Sequence, residues 1–263
     1  MDAEELDDLL AIATAAAREA GELLMDHLGR LRNVRTKSSA RDLVSEADVA
    51  SERLLVSRLR AARPQHNIEA EEEVRDALDP DVPRWFLDPL DGTTNFVHRL
   101  PMFCVSMGLH LGNAPQLAVV HLPLIGETFT ATLGGGAQMN GETIAVSNTN
   151  QLGEALLATG FPYRRNELEH SNLENFGRFY YDVRGMRRMG SAAIDLAYVA
   201  AGRLDGFWEL HLSPHDVAAG GLLVREAGGV VTDAHGADDW LRGGSIVAAG
   251  PGLHEAMRER VIC

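Results

Sequence analysis

The sequence predicts a mixed α and β protein, with an antiparallel sheet flanked by helices in its first part and an α/β segment in its second. Three observations carry this. Leucine and alanine recur at helical spacing over 4–28, short apolar runs broken by tight turns fill 67–148, and strand-like runs alternate with helical patterns after about residue 150.

Each element has its own signal. In 4–28, Leu6, Leu9, Leu10, Ala13, Ala16, Ala17, Ala20, Leu23 and Leu24 form one apolar helix face. Residues 29–44 are basic and irregular. Ser45 to Asp48 reads as a helix start, the helix runs to about 62, and Pro64 ends it. Strands are expected at 67–71, 84–88, 103–111, 116–122 and 127–132, and Asn140-Gly141 marks a hairpin between two short strands. Gly134-Gly135-Gly136 belongs to that hairpin region and is no phosphate loop, because no Gly-Lys-Ser/Thr follows. The second part reads as strand 155–159, helix 167–180, strand 185–188, helix 191–201, strand 205–210, helix 216–227, strands 229–232 and 245–249, and helix 252–261. No linker or repeat separates the parts. We expect two lobes, 1–148 carrying most of the site and 149–263, forming one compact unit with the site in the cleft between them.

Composition narrows the functional classes. The chain has 263 residues, of which 45% are hydrophobic and 24% charged, as in an ordinary soluble protein. No apolar run is long enough to span a membrane. The acidic start Met1-Asp2-Ala3-Glu4-Glu5 lacks the features of a signal peptide, and the two cysteines, Cys104 and Cys263, suggest no disulfide framework. A cytoplasmic protein is the expectation. A formal net charge of −14 argues against direct binding to nucleic acid or anionic membranes. It would also repel a phosphorylated substrate unless bound cations reversed the field locally.

The most informative stretch is Trp85-Phe86-Leu87-Asp88-Pro89-Leu90-Asp91-Gly92-Thr93-Thr94-Asn95. An apolar strand delivers two carboxylates and a backbone carbonyl into one turn, a cup suited to a hard cation such as Mg²⁺. Thr93 follows where a hydroxyl can hold a water. Glu71 and Glu72 follow a short strand that can lie beside the one ending at Asp88. Asp48 and Asp216 each sit in the first turn of an expected helix, where a cap is the ordinary role.

Together these motifs resemble the inositol monophosphatase family. Asp88 through Asn95 resembles its first signature and Asp216 through Gly229 its second. The likeness extends to Lys37-Ser38, Asp42 to Asp48, Glu71-Glu72 and Gly190-Ser191-Ala192-Ala193. The resemblance implies a layered α-β-α-β-α sandwich, usually homodimeric, that hydrolyses phosphate monoesters with two to three Mg²⁺ ions and is sensitive to lithium. It implies that Glu71, Asp88 and the Leu90 carbonyl hold one ion, that Asp88, Asp91 and Asp216 hold a second, and that Glu71 with waters holds a weaker third. Thr93 and Asp48 would orient and deprotonate the attacking water. Gly92 and Thr93 would offer N–H groups to the phosphate. Asp91 and Asp216 would also contact the substrate, and Ala192 and Glu209 would face its hydroxyls. Lys37, Glu72 and His215 would support the site from behind. His215 departs from the family pattern, which commonly has Trp before the last ligand aspartate. The leading expectation is an inositol-1-monophosphatase. Histidinol phosphate, other sugar phosphates or nucleotide phosphates are alternative substrates, and a regulatory protein-binding role in transcription is an alternative of another class.

Overall fold

The computed structural model describes residues 1–31, 33–36 and 43–263. In chain order its elements are α1 (Ala3–His27), β1 (Val34–Thr36), β2 (Leu43–Ser45), α2 (Glu46–Ala62), β3 (Asn67–Ala70), β4 (Arg84–Asp91), α3 (Thr93–Val97), β5 (Cys104–Leu111), β6 (Ala114–Leu122), β7 (Glu127–Thr132), β8 (Gly136–Met139), β9 (Glu142–Thr143), β10 (Leu156–Thr159), α4 (Leu173–Tyr180), β11 (Gly185–Arg187), α5 (Ala192–Ala200), β12 (Gly206–Leu210), α6 (Pro214–Glu226), β13 (Val230–Thr232), β14 (Ser245–Ala249) and α7 (His254–Arg258).

Five layers result. Helices α1 and α2 cover one face of a seven-stranded sheet ordered β3-β4-β5-β6-β7-β8-β9, and α5 and α6 cover its other face. The same two helices rest on a five-stranded sheet ordered β11-β10-β12-β14-β13, whose far side carries α4 and α7. The large sheet is antiparallel except for the β3–β4 pair. The small sheet is parallel across β11-β10-β12 and antiparallel beyond.

The large sheet is covered on both faces, so its inner strands read as continuous apolar runs rather than alternating ones. In β4, Trp85 and Leu87 join the core under α1 and α2, whereas Phe86 joins the core around α5 and α6. In β6, Leu117 and Val119 face the first core, and Ala118 and Val120 the second. Helix α5 is buried along its whole length, which fits its position between two sheets. Gly108 lets α6 approach the sheet, since a Cβ there would lie 2.7 Å from Ala218 Cβ.

Several boundaries differ from the sequence expectation. Val34–Thr36 and Leu43–Ser45 pair as a small antiparallel ribbon within the segment read as irregular. Helix α4 begins at Leu173, not 167. Asn172 adopts φ 70° before it and anchors its side chain on Thr159 Oγ1 (2.8 Å) and the Gly160 carbonyl (2.6 Å). Helix α7 is confined to 254–258. Strand β4 continues through Pro89, with a register shift between Asp88 and Asp91, and the short helix α3 follows where only a turn was expected.

Candidate active site

The loop after β3 is held by a residue that carries no motif. The buried Glu52 carboxylate of α2 accepts the N–H groups of Glu72 (2.7 Å), Glu73 (2.7 Å) and Val74 (2.9 Å). The parallel register pairs Ala70 with Leu87, and Glu71 N–H donates to the Leu87 carbonyl at 3.1 Å. Glu71 thereby stands alongside Asp88. Glu72 enters through its backbone and is not among the residues lining the cleft.

The turn after β4 is fixed at each step. Asp88 Oδ1 accepts the Leu90 N–H at 3.0 Å, and Ser51 of α2 donates to the Pro89 carbonyl at 2.8 Å. Gly92 has φ 94°, and a Cβ there would meet the Met102 carbonyl oxygen at 2.6 Å, so glycine is required. It precedes α3, whose first-turn N–H groups have no partner within the helix. Thr93 Oγ1 lies 2.9 Å from Asp48 Oδ1 and 3.1 Å from the Leu90 carbonyl oxygen. The other oxygen of Asp48 accepts Ser45 N–H (2.9 Å) and Ser45 Oγ–H (2.6 Å). Asp48 is therefore a helix cap and a partner of Thr93 at once.

The second half of the chain supplies the opposite wall. Asp91 Oδ2 accepts Ser191 Oγ–H (2.7 Å) and Ala193 N–H (2.9 Å) at the start of α5. Asp216 stands in the first turn of α6, after Pro214, and accepts the Ser213 N–H at 2.6 Å. His215 Nε2 lies 3.7 Å from Asp216 Oδ1, and His215 Nδ1 is buried with no hydrogen-bond partner among the described residues. Glu209, one residue before the end of β12, is almost fully buried, packed where a Cβ on Gly160 would lie 2.1 Å from its Oε2.

Glu71, Asp91, Ala192, Glu209, His215 and Asp216 line one cleft of about 400 Å³. Asp48, Asp88 and Thr93 are buried beside it. Lys37 lies outside the described residues. Sequence reasoning missed Glu52, Ser51, Ser191 and the buried Asp195 of α5, whose Oδ1 has no partner among the described residues. For Ser51, Glu52 and Asp195 the signal is a polar residue at a buried helix position, whereas Ser191 is the N-cap of α5.

Electrostatics set the character of the cleft. Burial, then the charges of Glu71, Asp91 and Asp216, push Asp88 well above the usual carboxylate range. Burial and Asp216 raise Asp91 to about 7. Burial raises Asp48, with Glu71 adding to it, against the opposing bonds from Ser45 and Thr93. Burial pushes Glu209 up to about 8, with Arg188 pulling it down and Asp216 and Asp91 adding to the rise. Carboxylates crowded in a low-dielectric cleft repel one another, and a divalent cation relieves that repulsion. The all-oxygen donor set of Glu71, Asp88, Asp91, Asp216 and the Leu90 carbonyl suits a hard cation. As placed, no three such groups among the described residues already form a closed metal cage. Asp91 and Asp216 are instead turned onto protein donors.

A layered α/β fold with an acidic cleft between its two sheets, fed by a strand-end pair of aspartates, defines a class of proteins with known members. The chain belongs to the inositol monophosphatase family, whose model matches residues 5–262. It is 43% identical to the Nus factor SuhB of Escherichia coli K12 over 251 residues, covering 95% of this chain and 94% of that protein. The Pseudomonas aeruginosa Nus factor SuhB is also 43% identical, over 96% of this chain and 95% of its own. Among solved structures, the extragenic suppressor protein suhB of Bartonella henselae superposes with a TM-score of 0.89 at 38% identity, covering 96% of this chain and 98% of that one. An inositol monophosphatase from Anabaena gives 0.88 at 39%, covering 97% and 96%.

Proposed function

We propose that this protein is a Mg²⁺-dependent phosphate monoester hydrolase, with inositol 1-phosphate as the leading substrate. The observation that carries the reading is the 2.9 Å contact between Thr93 Oγ1 and Asp48 Oδ1, beside a cleft walled by four acidic groups. A hydroxyl that donates to a buried carboxylate keeps its lone pairs for a water, and that carboxylate can take the water's proton through it.

The residues divide the work. Glu71, Asp88, Asp91, Asp216 and the Leu90 carbonyl would hold two to three Mg²⁺ ions. When bound, those ions supply Lewis-acid polarisation of the phosphate and an acidified water. Thr93 Oγ1 orients the attacking water in line with the ester bond, and Asp48 Oδ1 accepts its proton. The N–H groups of Gly92 and Thr93 face the phosphate oxygens. Ala192 and Glu209 meet the hydroxyls of the alcohol, Glu72 and Lys37 would support the contacting groups, and His215 stands in the cleft lining beside Asp216. His215 fills an aromatic packing position next to Asp216. Positioning and charge stabilisation dominate phosphoryl transfer, so no enzyme nucleophile is needed.

We further infer a homodimer at work in the cytoplasm, with lobes 1–148 and 149–263 and with lithium as an inhibitor. The similarity to Nus factors favours one second reading, a protein-binding role in transcription, which catalysis does not exclude. Histidinol phosphate and other sugar or nucleotide phosphates remain alternatives to inositol phosphate within the same chemistry. The test is phosphate release from a panel of monoesters with Mg²⁺ and with EDTA. Release that depends on Mg²⁺ and ranks inositol 1-phosphate first is the expected result. Absence of release from every ester would leave the transcriptional reading.

A further inference from the structure

A cysteine and a histidine meet outside the acidic cleft. Cys263 Sγ lies 3.3 Å from His235 Nε2 and 3.9 Å from His235 Nδ1. Each is placed by its own neighbours. The buried Asn175 of α4 accepts the Ile262 N–H at 2.9 Å and donates to the Ile262 carbonyl at 2.8 Å, and Val261 is buried in the core beneath the small sheet. His235 sits in the turn after β13. Asp233 Oδ1 closes that turn by accepting the Ala237 N–H at 2.8 Å, and Ala234 N–H donates to Ser245 Oγ at 3.1 Å.

The pair borders a cavity of about 300 Å³ that Glu169, His170 and His211 also line. His170 belongs to the lip at 161–172, which also lends Phe161 and Leu168 to the acidic cleft. Its backbone is held at the cavity. His211, at φ 63° just after β12, donates from Nε2 to the His170 carbonyl at 2.7 Å. Three histidines, a carboxylate and a thiol thus come together from four separate stretches of chain, so no sequence motif announces them.

Sulfur and imidazole nitrogen in contact can be a hydrogen bond or two corners of a metal site. On one zinc ion, bonds of about 2.3 Å to sulfur and about 2.0 Å to nitrogen at a tetrahedral angle set the two atoms about 3.5 Å apart. The observed 3.3 Å comes close to that spacing. The further histidines and the carboxylate on the same cavity favour the metal. Burial, with Asp233 adding to it, raises the Cys263 thiol, so a cation that binds there displaces a proton. The donor chemistry is the opposite of that in the acidic cleft, where oxygens alone suit a hard ion. As placed, no three such groups among the described residues close on one point. A rotation of the His170 side chain about its anchored backbone completes the set.

We propose that Cys263, His235 and His170 form a site for a thiophilic divalent cation of the zinc class, with water as fourth ligand. The ion ties the lip at 161–172 to the turn after β13. The site is distinct from the acidic cleft and does not depend on the phosphatase reading.

The test uses the full chain with excess Mg²⁺ to occupy oxygen-donor sites, and Co²⁺ or Zn²⁺ alone as the probe. Co²⁺ should give a thiolate charge-transfer band in the near ultraviolet together with the visible bands of tetrahedral coordination. Cys263→Ser should abolish the charge-transfer band. His235→Ala and His170→Ala should each weaken Zn²⁺ binding by about ten-fold or more in titration calorimetry. None of the three side chains belongs to the buried core, so near-UV circular dichroism without metal should be unchanged in every variant. Zn²⁺ should also slow tryptic cleavage after the exposed Arg164 and Arg165 in the unaltered protein and not in Cys263→Ser. Absence of the charge-transfer band overturns the proposal, as does a band that survives Cys263→Ser, which would place the metal on Cys104. Zinc affinity unchanged by His170→Ala, or cleavage indifferent to zinc, overturns the tie to the lip.

Discussion

On the inner side of the cleft every turn is tied down. Glu52 takes three consecutive N–H groups, Ser51 holds the Pro89 carbonyl, and Ser191 with Ala193 holds Asp91. The lip at 161–172 is built differently. Its residues 163–167 are exposed, local turn bonds such as Glu167 N–H to the Arg164 carbonyl span it, and His211 clips it through the His170 carbonyl at 2.7 Å. Phosphoryl chemistry tolerates little misplacement, because a shift of about 1 Å can cost roughly 10²-fold. Selection of the alcohol needs only a suitable surface. On the proposed function, the contrast would separate a constant reaction from an adjustable choice of substrate.

The largest expected effect breaks the rigid side. Asp91→Asn keeps the volume and can still accept from Ser191, but removes a charge from the donor set. Turnover should fall by about 10³-fold or more, with near-UV circular dichroism unchanged. Substantial activity in the Asn variant, or in EDTA, would show that this turn does not carry the reaction.

Next come Thr93→Ala and Asp48→Asn. Each should lower kcat by about 10²–10⁴-fold with smaller effects on KM. Because the two groups act on one water through one contact, the double variant should be little worse than the poorer single variant. Losses that multiply would separate their roles.

The structure makes plain why some of this was readable in the sequence and some was not. Asp88, Asp91, Gly92 and Thr93 are contiguous, so their joint presence in one turn shows in the string itself. Glu71 was readable because a short strand precedes it. The roles of Glu52, Ser51 and Ser191 were not, even with Ser191 inside a matched motif, since each exists only where α2 packs on the loop after β3 and the β4 turn, or α5 on that turn. Asp195 reads as a helix residue until both sheets close over it. The five layers were legible through resemblance, while the parallel β3–β4 pair and the pairing of Val34–Thr36 with Leu43–Ser45 were hidden in short segments with weak periodicity.

Glu52 sharpens the comparison between the two sides. Glu52→Gln replaces one acceptor oxygen by a donor facing N–H groups. It should cost about 2–3 kcal/mol of stability, in the range for hydrogen bonds to a charged group, read as a shift in urea midpoint. Activity should fall as well, because Glu71 loses its support. Glu167→Gln, on the exposed lip, should change stability by less than about 0.5 kcal/mol. Similar losses in the two variants would contradict the division into a rigid and an adjustable side.

The smallest effect on turnover is expected at Glu209, where the two sides meet. A carboxylate facing a polyol accepts hydrogen bonds from its hydroxyls, so Glu209→Gln should cost about 1–3 kcal/mol on inositol 1-phosphate. It should cost less on 2-glycerophosphate, and Mg²⁺ dependence should persist. Stability should move the other way. Burial, with Asp216 and Asp91 adding to it and Arg188 opposing, raises Glu209 from 4.5 to about 8 in the folded chain. The unfolded chain therefore releases this proton first as pH rises, and the folded state loses stability between about pH 4.5 and 8. Gln cannot titrate, so the variant should lack that part of the decline and melt higher than the unaltered protein at pH 8 in EDTA, with little difference at pH 4.5. Parallel melting curves across that range would show that Glu209 is not held at a cost, and equal activity losses on both substrates would show that it serves the metal-binding wall rather than the choice of alcohol.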